Sequence, residues 1–173
     1  TCPPEIHISF TIAATDGTLL ITGWIFTIPY QQSLVMKVGM DGNLVWARTY
    51  QQLENSTTFS GMIPTPDDGC LATGSGGDGF AALSRIDGQG NLLWRTGYTG
   101  DLGALSGSII RFGEDRLLVG VYVSPGSGTQ APSAMILLDT LGTLVDQQTL
   151  GPIADDIFTN PGGLLLDDQG NLL

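Results

Sequence analysis

Apolar residues along the chain come in short runs separated by polar turns, and no stretch repeats them at helical spacing. The clearest run is K-V-G-M-D-G-N-L-V-W, Lys37 to Trp46. It returns as R-I-D-G-Q-G-N-L-L-W from Arg85 to Trp94, and as L-L-D-T-L-G-T-L-V-D from Leu137 to Asp146. A fourth, shorter copy, L-D-D-Q-G-N-L-L, runs from Leu166 to Leu173. In each, an apolar strand enters a polar turn, and a glycine precedes the return strand. Gly42, Gly90, Gly142 and Gly170 fill that slot. A left-handed residue is needed there to close a bulged hairpin, and glycine adopts it without steric cost.

A second motif precedes each hairpin. Residues 16–23 read D-G-T-L-L-I-T-G, residues 67–74 D-D-G-C-L-A-T-G, and residues 114–120 E-D-R-L-L-V-G. These are acidic turns feeding a short apolar strand that ends in glycine. Another β-like run lies before each: Ile6 to Ala14, Phe59 to Thr65, and Ser108 to Phe112. One unit therefore reads strand, acidic turn, strand, variable loop, strand, glycine hairpin, strand. In the second unit the predicted strands are 59–65, 70–75, 80–87 and 91–98.

Four short antiparallel strands per unit of about fifty residues is the recipe for a propeller blade, although a sandwich or β-prism also suits the turn spacing. The expectation is an all-β, β-propeller-like array of four-stranded antiparallel blades. It forms one repeat domain over residues 1–173, with approximate repeats 6–55, 56–104, 105–153 and a partial 154–173. The motifs resemble those of secreted bacterial repeat proteins, whose units read D-G-G-hydrophobic-G and then K-hydrophobic-D-x-x-G-N-x-x-W. The resemblance implies propeller blades and implies nothing about activity. Lys37 to Trp46 and Arg85 to Trp94 match well. The third copy departs, with Leu137 for the basic residue and Asp146 for the tryptophan.

The last unit is expected to be incomplete, at about three and a half repeats in all, and an open sheet edge is a liability. Three readings follow: a segment of a longer array, a blade completed by another copy of the chain in an oligomer or fibre, or a small ring that closes alone.

Charge narrows the partners. The formal net charge is −11, with only six Lys and Arg, so no basic stripe exists for nucleic acid or an anionic membrane. No apolar window is long enough to span a bilayer as a helix, so membrane insertion is not expected. Cys2 and Cys70 allow one disulfide in an oxidising compartment. Asn55-Ser56-Thr57 is a glycosylation sequon in a predicted loop.

Catalytic signatures are sparse. His7 is the single histidine, and neither G-x-S-x-G nor H-E-x-x-H occurs. Gly74 to Gly79 matches G-x-G-x-x-G in letters, but a strand rather than a helix follows. Asp87 to Asn91 faintly resembles a calcium loop and reads better as a turn. Trp46 and Trp94 read as packing residues between units, with sugar platforms as the alternative; Trp24, Phe26 and Tyr30 fall in or beside a loop. These readings lead to an extracellular or cell-surface, non-enzymatic structural or interaction module without a cofactor, partnered by copies of itself, another extracellular protein or a glycan. The alternatives are a fragment of a propeller adhesin or carbohydrate-binding protein, and a propeller hydrolase or lyase segment.

Overall fold

The computed structural model describes residues 5–27, 30–50, 58–75, 81–98, 104–123 and 133–150. These residues form twelve strands: β1 (Ile6–Ala13), β2 (Leu19–Thr27), β3 (Tyr30–Val38), β4 (Leu44–Tyr50), β5 (Thr58–Pro64), β6 (Cys70–Ser75), β7 (Ala81–Ile86), β8 (Leu92–Tyr98), β9 (Ala104–Phe112), β10 (Arg116–Val123), β11 (Ser133–Asp139) and β12 (Leu144–Leu150). They make three four-stranded antiparallel sheets in meander order, β1 to β4, β5 to β8 and β9 to β12. The all-β expectation holds at this level. Trp24 and Phe26 lie in the last part of β2 and Tyr30 opens β3: the two strands pair from Leu19↔Val38 to Thr27↔Tyr30. The run from Gly23 to Thr27 lacks clean alternation because both faces of β2 carry large apolar side chains there.

The glycine hairpins form as the turn chemistry requires. Gly42, Gly90 and Gly142 take φ of +81°, +83° and +82°. In the second turn, Gly90 donates to the Asp87 carbonyl at 3.0 Å, and the Asp87 carboxylate accepts from the backbone amides of Gln89 and Asn91 at 2.9 and 2.8 Å. Asp41 and Asp139 accept in the same manner, from the amides of Asn43 and of Leu141 and Thr143. Gly170 lies outside the described residues.

The glycine that ends the second motif has a different cause. Each first strand carries a bulge, between Ile8 and Phe10 in β1 and between Phe59 and Gly61 in β5. Opposite the bulge, the partner backbone approaches so closely that a Cβ on Gly23 would sit 1.9 Å from the His7 carbonyl oxygen. On Gly74 it would sit 1.8 Å from that of Thr58. No side chain fits at either position.

The core lies between sheets, since neighbouring sheets pack face to face. β5 packs on β1, β2 and β3, and β9 packs on β5, β6 and β7. Leu20, Val35 and Tyr50 of the first sheet meet Phe59, Met62, Cys70, Ala72 and Ile86 of the second. The second interface repeats the first, with Leu71 and Leu83 against Ile109, Leu117, Val119, Ile136 and Leu138 of the third sheet. Burying several such side chains, at about 1.5 to 3 kcal/mol each, stabilises one sheet against the next.

Candidate functional site

Each sheet has two unlike ends. At one end lie the acidic turn and the glycine hairpin; at the other, the loop end, the first and third strands begin and the second and fourth strands finish. The basic residue of the first motif ties the turn end together. Lys37 is almost wholly buried, and its Nζ stands 2.7 Å from Oδ2 of Asp16, in the acidic turn of its own sheet. Lys37 also donates to the Asp68 carbonyl of the next sheet at 3.3 Å, and Thr15 donates to the Asp68 carboxylate. Arg85 does the same for the second sheet, pairing with Asp67. The Lys37 ammonium, followed by the Thr18 hydroxyl and amide, holds the Asp16 carboxyl down at about 2. Thus the two sequence motifs are halves of one ion pair. In the third sheet Leu137 takes the basic position, so this pairing is absent there.

Trp46 and Trp94 serve the contact between sheets. The Trp46 indole donates from Nε1 to the Gly88 carbonyl at 2.9 Å, and its ring lies over Gly90. The Trp94 ring lies over Gly142 in the same way. Two further residues complete the arrangement. Tyr50 donates its hydroxyl to the Gly90 carbonyl at 2.8 Å, and Tyr98 donates to the Gly142 carbonyl at 2.7 Å. The sequence reading missed these tyrosines, although Trp-x-x-x-Tyr recurs at 46–50 and 94–98. Burial pushes both phenols above their ordinary range. The glycine turn therefore acts as a socket for the preceding sheet, and the tryptophans are packing residues.

The described part of the loop end carries an aromatic stack. His7 and Trp24, opposite each other on β1 and β2, stack at 3.7 Å between ring centroids and 12° between planes. Nε2 of His7 lies 3.4 Å from Oε1 of Glu5. Phe26 beside them is exposed. Among the described residues, no group of three or more His, Cys, Asp and Glu is gathered as a metal would require. Cys70 is a buried free thiol, pushed up to about 12 chiefly by desolvation, so it offers no nucleophile at neutral pH. Cys2 and Asn55 lie outside the described residues.

No family model matches the chain, and no curated protein matches it. Solved structures do. A crystal structure of an ACO/RPE65 chimera superposes with a TM-score of 0.53 at 11% identity, over 84% of this chain and 39% of that one. In fold, the chain is similar to apocarotenoid oxygenase. A point variant of the Synechocystis apocarotenoid oxygenase matches with a TM-score of 0.52 at 12% identity, over 85% of this chain and 39% of its own. The chain thus spans about two fifths of the length of these structures. This likeness corrects the expectation of a non-enzymatic, self-assembling module. That expectation leaned on the sparse catalytic signatures and the unfinished last unit, and apocarotenoid oxygenase, whose fold is similar, is an enzyme. The likeness gives no support to an adhesin, a carbohydrate-binding protein, a hydrolase or a lyase.

Proposed function

We propose that the three sheets are consecutive blades of a propeller of the enzyme class, and that the chain works as a scaffold holding substrate-contacting loops at one end. The observation that carries this reading is the superposition on apocarotenoid oxygenase over 84–85% of the chain. The asymmetry of the two ends supports it. The turn end is closed by its own hydrogen bonds and ion pairs, and its aspartates are occupied by backbone amides, Asn and Thr side chains, Lys37 and Arg85. At the other end the number of residues between the second and third strands differs from sheet to sheet, and connections on a rigid scaffold are where binding and catalytic groups concentrate. The His7–Trp24 stack gives that end a flat, partly exposed surface next to Phe26. The kinship with secreted bacterial blade-repeat proteins that the motifs suggest belongs to the same proposal.

The test is turnover of an apocarotenoid in air by the intact protein, followed by loss of polyene absorption. We expect cleavage, weakened by Trp24→Ala at the loop end and unaffected by Asp41→Asn at the turn end beyond its effect on stability. A folded protein that leaves the polyene unchanged, at any concentration reached, overturns the enzyme reading.

A further inference from the structure

The first sheet has a face with no neighbour among the described residues, and this face can be matched position by position with a covered one. By register, Ile8 corresponds to Phe59, Leu19 to Cys70, Ile21 to Ala72, and Val38 to Ile86. In the second sheet all four are buried against the first sheet. In the first sheet, Leu19, Ile21 and Val38 are half-buried, and Ile8 is 63% exposed. The third sheet uses the same positions, with Leu117, Val119 and Leu138 buried against the second. An exposed apolar surface of this kind marks an interaction site.

The socket on this face is also open. Gly90 and Gly142 are buried under Trp46 and Trp94, but Gly42 is exposed, and a Cβ on it would meet nothing within 4 Å. Its turn has the same left-handed geometry and the same internal hydrogen bond, from the Gly42 amide to the Gly39 carbonyl. Beside it Met40, at the position of Gly88, is 78% exposed.

We infer that this face is a docking surface for a further β-blade whose outer strand presents Trp and Tyr four residues apart, the Trp ring over Gly42 and the Tyr hydroxyl on its carbonyl. The inference rests on the blade reading above. Residue chemistry restricts the occupant. In a second copy of the chain, both Trp–Tyr pairs are already engaged within that copy, on Gly88 and Gly90 and on Gly142. The third sheet offers Asp146 and Leu150 at the two positions, an acid and a group without a donor. Neither supplies the contact.

An aromatic ring stacked on a glycine shifts its α-proton resonances upfield, which gives the test a local signal. In the native chain, Gly90 and Gly142 should show such shifts and Gly42 should not. A chain in which residues 51–103 are fused ahead of Ile6 places Trp94 and Tyr98 of the added sheet before the first sheet. We expect Gly42 to become shifted and its neighbouring amides to be protected from exchange, with both effects lost on Trp94→Ala in the added sheet. Unshifted Gly42 beside shifted Gly90 and Gly142 overturns the docking surface and leaves the blade reading intact. Unshifted Gly90 and Gly142 in the native chain overturn the blade reading itself. For a fusion that does not fold, a cyclised hairpin of residues 85–98 added to the native chain replaces it: perturbation confined to Gly42, Ile21 and Val38 supports the surface, and none at saturating peptide overturns it. A native dimer formed through this face also overturns the assignment of its occupant.

Discussion

The Tyr50 hydroxyl reaches from the last strand of the first sheet to the Gly90 carbonyl in the β7–β8 turn of the second, 2.8 Å away. Tyr98 repeats this with Gly142 one sheet later. Tyr50 is buried, so its deletion leaves the carbonyl without a partner in an apolar setting. Tyr50→Phe should cost about 1 to 3 kcal/mol, read from urea midpoints. Tyr98→Phe should fall in the same range, and the two losses should add, because different sheet pairs carry them.

Gly90→Ala and Gly42→Ala separate backbone strain from contact between sheets. Both place a Cβ on a left-handed residue, at about 1 to 2 kcal/mol each. Only at Gly90 does that Cβ also press on the Trp46 ring, at 3.0 Å. Gly90→Ala should therefore lose more, by about 1 to 3 kcal/mol for the overpacking, in the same denaturation series.

Ser84 sits in the buried face of the second sheet, and its hydroxyl has no hydrogen-bond partner among the described residues. The matching residues are Met36 and Ile136, both apolar. Ser84→Ala should raise stability, by about 1 kcal/mol, since it removes a desolvated donor without opening a large cavity. A lower thermal midpoint would contradict this.

The Asp16–Lys37 pair sets part of the acid limb. The Asp16 carboxyl lies below its ordinary 3.8, at about 2. The folded protein therefore holds this carboxylate charged where the unfolded chain is protonated. The contribution is complete above the ordinary carboxylate value and is lost as pH falls from there toward the folded value. Asp16→Asn should flatten the fall of the urea midpoint across that window and lower the midpoint at neutral pH. An unchanged acid limb would assign the dependence to other carboxylates.

Cys70 is fully buried and its thiol is pushed up to about 12. Alkylation by iodoacetamide at neutral pH should track opening of the first interface, slow in the native protein and fast in denaturant. Destabilising that interface with Tyr50→Phe should speed it.

The strands and glycine turns were legible because their causes are local. A polar turn with a glycine at the left-handed position reads the same in a sequence and in a fold, as at Gly42, Gly90 and Gly142. The packing role of Trp46 and Trp94 was legible from their repetition. What joins different motifs was not. Lys37 lies far along the chain from Asp16, and only the pairing of β2 with β3 makes them neighbours. Gly23 and Gly74 looked like strand ends; their cause is a bulge in the preceding strand, which leaves no local signature. The loop end was the least legible. His7 and Trp24 meet only through the β1–β2 register, and the likeness to apocarotenoid oxygenase is one of fold, which a dozen-percent identity does not carry in letters.

The Trp and Tyr contacts all run the same way, from the last strand of one sheet into the turn of its successor. Such a chain of couplings has a polarity, as a row of dominoes does. A change in a donor strand is felt by the sheet after it, and a change in a socket by the sheet before it. Grafting a sheet of this kind into another position therefore requires matching two unlike surfaces, a plug on one side and a receptacle on the other, so the sheets are interchangeable only in register with that direction.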